Sequence, residues 1–386
     1  MAYPPQYGHY GAAHSTHMPD PERGRRTVGL VLYIVGMTAG AILLVLLFFL
    51  LPVVMGIGPQ MSVAMLVGAI LAFPAMCVYL LVPRLLDRYD PEPLYALVMA
   101  LAWGAVAACG FSAMVNTIVG AILGDVASTV VSAPLMEEAS KGMLLLGFFY
   151  FLRREFDGVV DGIIYASFVA IGFAAVENVI YYANAGLDPT GPGVAGTFFM
   201  RGLLTPWLHP LFTAMTGIGV GLARESTRAW LRLFGPPLGY MTAVFLHALW
   251  NGSSVLLGSF GAPGVLILLA SIVLWLIFVV AFLAMVFGLV MRRGRIIRAH
   301  LVDEVALGHL TQTELNLVAS AFGGFTAYMR KGSAGTEFVR AVARLALSKW
   351  HTGRAMRGKT HTVSMEFIVP LRRKIRELRA QGASPC

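Results

Sequence analysis

The chain alternates long apolar runs with short polar breaks that carry arginine. A helix needs about 20 consecutive apolar residues to cross a bilayer. Eight runs approach or exceed that length: 28–55, 61–82, 94–122, 127–152, 159–184, 200–222, 236–258 and 263–291. They predict an all-α, polytopic transmembrane helix bundle. The fourth to seventh runs are interrupted by ionisable or polar residues, and Pro206 and Pro210 should bend or break the first turns of the sixth. Residues 1–27 read as a disordered N-terminal tail, 28–291 as the transmembrane domain, and 292–386 as a mainly helical C-terminal region.

Loop charge sets the expected orientation. Arg23, Arg25 and Arg26 precede the first run, Arg84 and Arg88 follow the second, and Arg153 and Arg154 follow the fourth. Arg224, Arg228 and Arg232 follow the sixth, and Arg292, Arg293, Arg295 and Arg298 follow the eighth. On the alternate side the sole positive residue is Arg201, after the fifth run and at the very start of the sixth. Positive loops stay in the cytoplasm, so a multi-pass cell-membrane protein with both termini cytoplasmic is expected. An odd number of spans would break the alternation.

Composition agrees with a membrane protein and narrows the rest. Apolar residues make up 57% of the chain and charged residues 13%, too few charges to cover a water-soluble surface. The mean hydropathy is +0.73. Cys77, Cys109 and Cys386 are too few and too scattered for a disulfide framework or a thiolate zinc site. The first 27 residues are polar, and the run that follows is too long for a signal-peptide core, so no cleavable signal is expected. Residues 292–386 hold 17 Lys/Arg against 6 Asp/Glu. That excess suits attraction to anionic lipid headgroups. With no recognised nucleic-acid motif, binding to nucleic acid is not expected.

Ionisable residues inside apolar spans are costly and mark function by default. The fourth run carries Glu137, Glu138 and Lys141, the fifth Glu177 and Asn178, the sixth His209, and the seventh His247 and Asn251. Lys141 lies one helical turn from both carboxylates and can neutralise one of them. His247 and Asn251 share a face at i, i+4, as do Phe173 and Glu177. At 1.5 Å per residue, Glu137 lies about 15 Å from the outer end of its run, Glu177 about 10 Å, His209 about 10–13 Å and His247 about 16 Å. Matched depth on four helices predicts one polar cluster in the outer half of the membrane. A lone histidine in a membrane helix serves as readily to bond a neighbouring helix, and Asn251 could do the same. Intramembrane Glu and His also build proton relays, so a proton-coupled transporter and a non-catalytic scaffold compete with an enzyme.

The pattern resembles the PrsW family of intramembrane proteases, related to the CAAX-prenyl-protease and bacteriocin-processing group. The resemblance rests on EExxK at Glu137, Glu138 and Lys141, FxxxE at Phe173 and Glu177, the isolated His209, and HxxxN at His247 and Asn251. DRYDPEP at 87–93 is also similar to a stretch of that family, and the likeness covers roughly 85–260. It implies cleavage of a peptide bond in or near a membrane-spanning substrate, such as a single-span anti-sigma factor. It further implies that Glu137 or Glu138 activates water, that Glu177, His209 and His247 bind a metal, and that Asn251 steadies the oxyanion. Two imidazoles and a carboxylate would leave a fourth position open on Zn²⁺. A metal-free route, with a glutamate and a histidine activating water directly, fits the same residues.

Overall fold

The computed structural model describes residues 23–87, 92–153, 155–260, 262–320, 322–357 and 364–386. The three histidines of the N-terminal tail, Arg88, Arg154 and most of the DRYDPEP stretch lie outside the described residues. Within them, all regular structure is helical.

The apolar runs become α1 (Gly24–Val54), α2 (Gly58–Arg84) and α3 (Leu94–Leu123), then α4 (Ala133–Phe151) and α5 (Val159–Leu187). α6 (Leu208–Glu225), α7 (Ala229–Phe260) and α8 (Ala262–Ala306) follow. By length and composition, α1, α2, α3, α5 and the Leu269–Ala306 part of α8 are apolar enough to cross a membrane. The other three are those that carry Glu137, Glu138, Lys141, His209 and His247, whose polarity dilutes their hydropathy. The whole is a helical membrane bundle.

Helix α5 forms the centre and is buried around most of its circumference. Its neighbours approach through glycine. A Cβ on Gly104 would lie 1.8 Å from the Val169 carbonyl oxygen, and one on Gly172 would lie 2.1 Å from that of Leu101, so α3 and α5 cross backbone to backbone. Gly162 of α5 and Gly217 of α6 make the same kind of contact, where a Cβ on either would stand 2.1 or 2.2 Å from the other's carbonyl oxygen. Without water to expel, membrane helices gain adhesion from such close packing. Leu97, Trp103, Leu145, Phe148, Tyr165 and Phe173 fill the space between α3, α4 and α5.

Several helices contain widened turns with one extra residue. Trp103–Ala108 lies within α3, Ser128–Ser132 leads into α4, and Phe199–Leu204 precedes α6. The sixth expected span is interrupted as its prolines require. The helix through Leu204 stops at Thr205–Trp207, and a new one begins at Leu208. Pro210 then occupies the first turn of α6, where a missing N–H costs no helical hydrogen bond.

Helix α8 continues unbroken past residue 291 into the C-terminal region, so the expected boundary there falls inside a helix. Ile297 and Leu301 of α8 enter one apolar core with Leu315 of α9 (Gln312–Val318), Phe338 and Leu345 of α10 (Gly323–Arg357), and Ile375 of α11 (Ser364–Ala380). Thr311 caps α9: its Oγ1 accepts from the Glu314 N–H at 3.1 Å, and the Glu314 carboxylate accepts from the Thr311 N–H at 2.8 Å. The region is clasped to one end of the bundle by His351–Asp157 at 3.0 Å, Arg293–Asp161 at 3.5 Å and Arg292–Glu225 at 3.7 Å. Arg354 donates to the Glu225 carbonyl.

Candidate active site

Adjacent residues on a helix point about 100° apart, and this separates the two glutamates of α4. Glu137 faces a cavity, whereas Glu138 turns into the packing between α4, α6 and α7. Both Glu138 and Lys141 have no exposed surface. Lys141 Nζ lies 2.9 Å from Glu138 Oε1 and 3.5 Å from Glu137 Oε2. Thr213 Oγ1 donates to Glu138 Oε2 at 2.8 Å, and His247 Nδ1 lies 3.2 Å from Glu138 Oε1. Burying a carboxylate is tolerable only with partners of this kind. Glu138 is therefore held as a fixed anion, while Glu137 keeps a face toward open space.

The two histidines arrive from different helices. His209 sits at the second position of α6, immediately after the break, and His247 in the middle of α7. Their rings lie 5.2 Å apart and nearly perpendicular. Phe212 stacks on His247 at 4.9 Å, and Phe173 packs on His209 at 5.4 Å, fixing both ring planes. His209 Nδ1 and His247 Nε2 each stand 3.9 Å from Glu137 Oε2. Ligand atoms of Glu137, His209 and His247 all lie within 4.8 Å of one another.

Glu177 meets the cluster through His209. Its Oε2 bonds His209 Nε2 at 2.9 Å, on the side of the ring away from Glu137, and it pairs with Arg201. Arg201 also donates from Nε to Asn178 Oδ1 at 2.8 Å and lies 3.7 Å over the Tyr181 ring. Asn251 donates from Nδ2 to the carbonyl of Thr129, in the wide turn before α4, at 2.9 Å. All four depth-matched residues, Glu137, Glu177, His209 and His247, thus meet in one cluster.

The cavity above this cluster has a volume of about 820 Å³ and is lined by Glu137, Glu177, His209, His247 and Asn251 at its inner end. Toward Asp125, Asn184 and Arg201 it reaches the end of the bundle formed by the α3–α4 turn and the end of α5. The clasped C-terminal region lies at the opposite end. Three contributors stand outside the sequence motifs. Arg201 is the lone cation on its side of the bundle, and that anomaly is its signal in the sequence. Thr213 stands four residues after His209, on the same helical face, and a search for donors at that spacing would find it. Phe212 carried no signal beyond ordinary apolarity.

Residues 92–285, half of the chain, match the family described as PrsW family intramembrane metalloprotease. A Protease PrsW of Geobacillus kaustophilus (strain HTA426) is 29% identical, over 42% of this chain and 79% of that relative. Those of Oceanobacillus iheyensis and Bacillus subtilis (strain 168) are 27% and 28% identical, over 37% and 36% of this chain. The matches cover 60% and 61% of those two relatives' lengths, less than two thirds. No solved structure matches the chain.

Proposed function

The chain belongs to the PrsW family of intramembrane metalloproteases, and from that premise we propose that it hydrolyses a peptide bond of a membrane-spanning protein at the Glu137–His209–His247 cluster. The carrying observation is the convergence of these three side chains from three helices at the inner end of a large cavity. A single-span regulator such as an anti-sigma factor is the substrate class we favour. We place eight spans in the cell membrane with both termini cytoplasmic, on the loop charges. The cavity then opens to the outer side.

In the metal-free form of this reading Glu137 is the base. Its Oε2 faces both imidazoles, and the carboxylate takes the proton of the attacking water and delivers it to the leaving amine. Glu138, enclosed by Lys141, Thr213 and His247, positions His247 rather than meeting substrate. Asn251 has a second amide N–H to offer the developing oxyanion.

The donor set fits a metal. Two imidazole nitrogens and a carboxylate oxygen converge, and the far nitrogen of each ring is already engaged, His247 Nδ1 by Glu138 and His209 Nε2 by Glu177. Such outer partners accompany metal-ligating histidines. Glu137, His209 and His247 would hold the ion, with Glu177 as an outer partner instead of a third ligand. A Zn²⁺ there would lower the pKa of its bound water and polarise the scissile carbonyl. A metal-free reading is favoured by one observation: Lys141 already brings a cation to 3.0 Å from His209 Nδ1.

The test is cleavage of candidate single-span proteins in cells producing wild type, Glu137→Ala, Glu138→Ala or His247→Ala. Loss in the Glu137 and His247 variants is expected, and unchanged processing in all three would sink the protease reading. Metal content of purified wild type against His209→Ala separates the two mechanisms.

A further inference from the structure

The C-terminal region contains a short stretch in which four large apolar side chains point outward together. Helix α10 begins with a nine-residue arm, 323–331, that ends where Gly332 adopts φ +59° and redirects the chain. Phe322, Phe325, Tyr328 and Met329 are 70%, 66%, 60% and 68% exposed, whereas Gly323 and Ala327 are buried against the rest of the region. The spacing of three and four residues gathers the four side chains on one face. Single exposed apolar residues are ordinary, but a contiguous group of this size marks an interaction surface.

Its position in the fold says what it meets. Helix α8 leaves the apolar run at Met291, and Arg298 follows seven residues later, about 10 Å further along the helix. The chain turns back after α8, and Arg298 Nη1 donates to Asn316 Oδ1 of α9 at 3.0 Å. The end of α9 is thus at the height of Arg298, and Phe322 follows six residues after Asn316. The aromatic face starts within reach of the bilayer surface from which α8 emerges. Two exposed cations, Arg330 and Lys331, close the arm, although Arg330 also donates to the Pro385 carbonyl at 3.0 Å.

We propose that residues 322–331 are an interfacial anchor, with Phe322, Phe325, Tyr328 and Met329 seated between lipid headgroups and acyl chains beside α8. Arg330 and Lys331 lie at headgroup level, where anionic lipid attracts them. Tyr328 suits this zone because its ring is apolar and its hydroxyl stays near water, and the phenylalanines and Met329 supply the apolar face that enters the acyl boundary. The anchor adds buried apolar area to the electrostatic attraction expected of a basic region. It does not depend on the proteolytic reading.

The full chain is reconstituted in phosphatidylcholine–phosphatidylglycerol nanodiscs, with Cys77, Cys109 and Cys386 replaced by Ala. Phe325→Cys or Tyr328→Cys carries an environment-sensitive fluorophore, and Glu337→Cys, on the exposed side of α10 beyond the kink, is the control. Labels at 325 and 328 should be quenched by lipid bearing a nitroxide near the headgroup, with iodide quenching at least about threefold weaker than at 337. Iodide quenching equal to the control overturns the proposal. Protection from iodide without nitroxide quenching also overturns it, because a protein surface then covers the face.

Discussion

Glu177 Oε2 lies 2.9 Å from His209 Nε2, while the other nitrogen of that ring faces Glu137 at 3.9 Å. This places the fifth-helix carboxylate behind the histidine, where in the proposed mechanism it would orient the ring. Removing such an outer partner usually costs 10- to 100-fold in activity or metal affinity. Glu177→Ala should therefore lower kcat/KM by about 10- to 100-fold, and Glu177→Gln by less. Glu137→Ala should leave no measurable turnover. Cleavage of a reporter membrane protein under single-turnover conditions reads all three; a Glu177→Ala enzyme as fast as wild type would remove Glu177 from the site.

Lys141 is the counter-charge for two buried glutamates. Lys141→Met should destabilise the protein by about 3–5 kcal/mol, because it leaves Glu138 buried without its cation. Adding Glu138→Gln to Lys141→Met should recover part of that loss. Chemical unfolding in detergent micelles measures both; a double variant no more stable than Lys141→Met alone would contradict the pairing.

The contact between α3 and α5 has no room for a methyl group. Gly104→Ala should cost about 3 kcal/mol, the upper end for overpacking, since the new Cβ would meet backbone and not a movable side chain. Gly147→Ala is the control, because a Cβ there has no neighbour within 4 Å outside its own helix. It should be neutral or slightly stabilising. Thermal unfolding of the two variants side by side decides the point.

The clasp between the C-terminal region and the bundle should respond to pH. Burial alone would push the His351 imidazole down, but the Asp157 carboxylate beside it outweighs burial and raises it above its ordinary value. Burial would push Asp157 up, and the His351 charge instead holds it well below the usual carboxylate range. The His351 contribution is complete below about pH 6.5 and fades as pH rises through the raised value; that of Asp157 fails only in strong acid. Hydrogen exchange around 345–357, corrected for intrinsic rate, should show more opening at pH 8.5 than at pH 5.5. In His351→Gln the difference should shrink or vanish.

The sequence made much of this legible because the bilayer penalises ionisable groups so heavily. Glu137, Glu177, His209 and His247 stood out against apolar neighbours, and one rise per residue sufficed to match their depths. Lys141 was readable from helical spacing alone, as was the break near Pro206. Individual roles were not legible, because they depend on which way each side chain turns. Nothing local distinguishes Glu137, facing the cavity, from Glu138, facing Thr213 and His247. For Glu177 the motif fixes a helix and a height, whereas its partner Arg201 comes from a separate short helical stretch, Phe199–Leu204, that no spacing on α5 reveals. The tertiary clasp at Asp157 and His351 joins residues far apart in sequence, beyond the reach of any local pattern.

The wide turn Ser128–Ser132 gives the fourth span two independent azimuths. One surplus residue swings the stretch before it by about 100° relative to a regular helix. The turn presents Ser132 to Asn116 at 2.7 Å and the Thr129 carbonyl to Asn251, while Glu137, two turns on, keeps its own bearing toward the histidines. The mouth of the cavity and its floor are consequently drawn from one helix without sharing one stripe. Residues lining the mouth can be exchanged with no rotation of the carboxylate below, so selectivity for what enters and chemistry on what arrives are free to diverge separately.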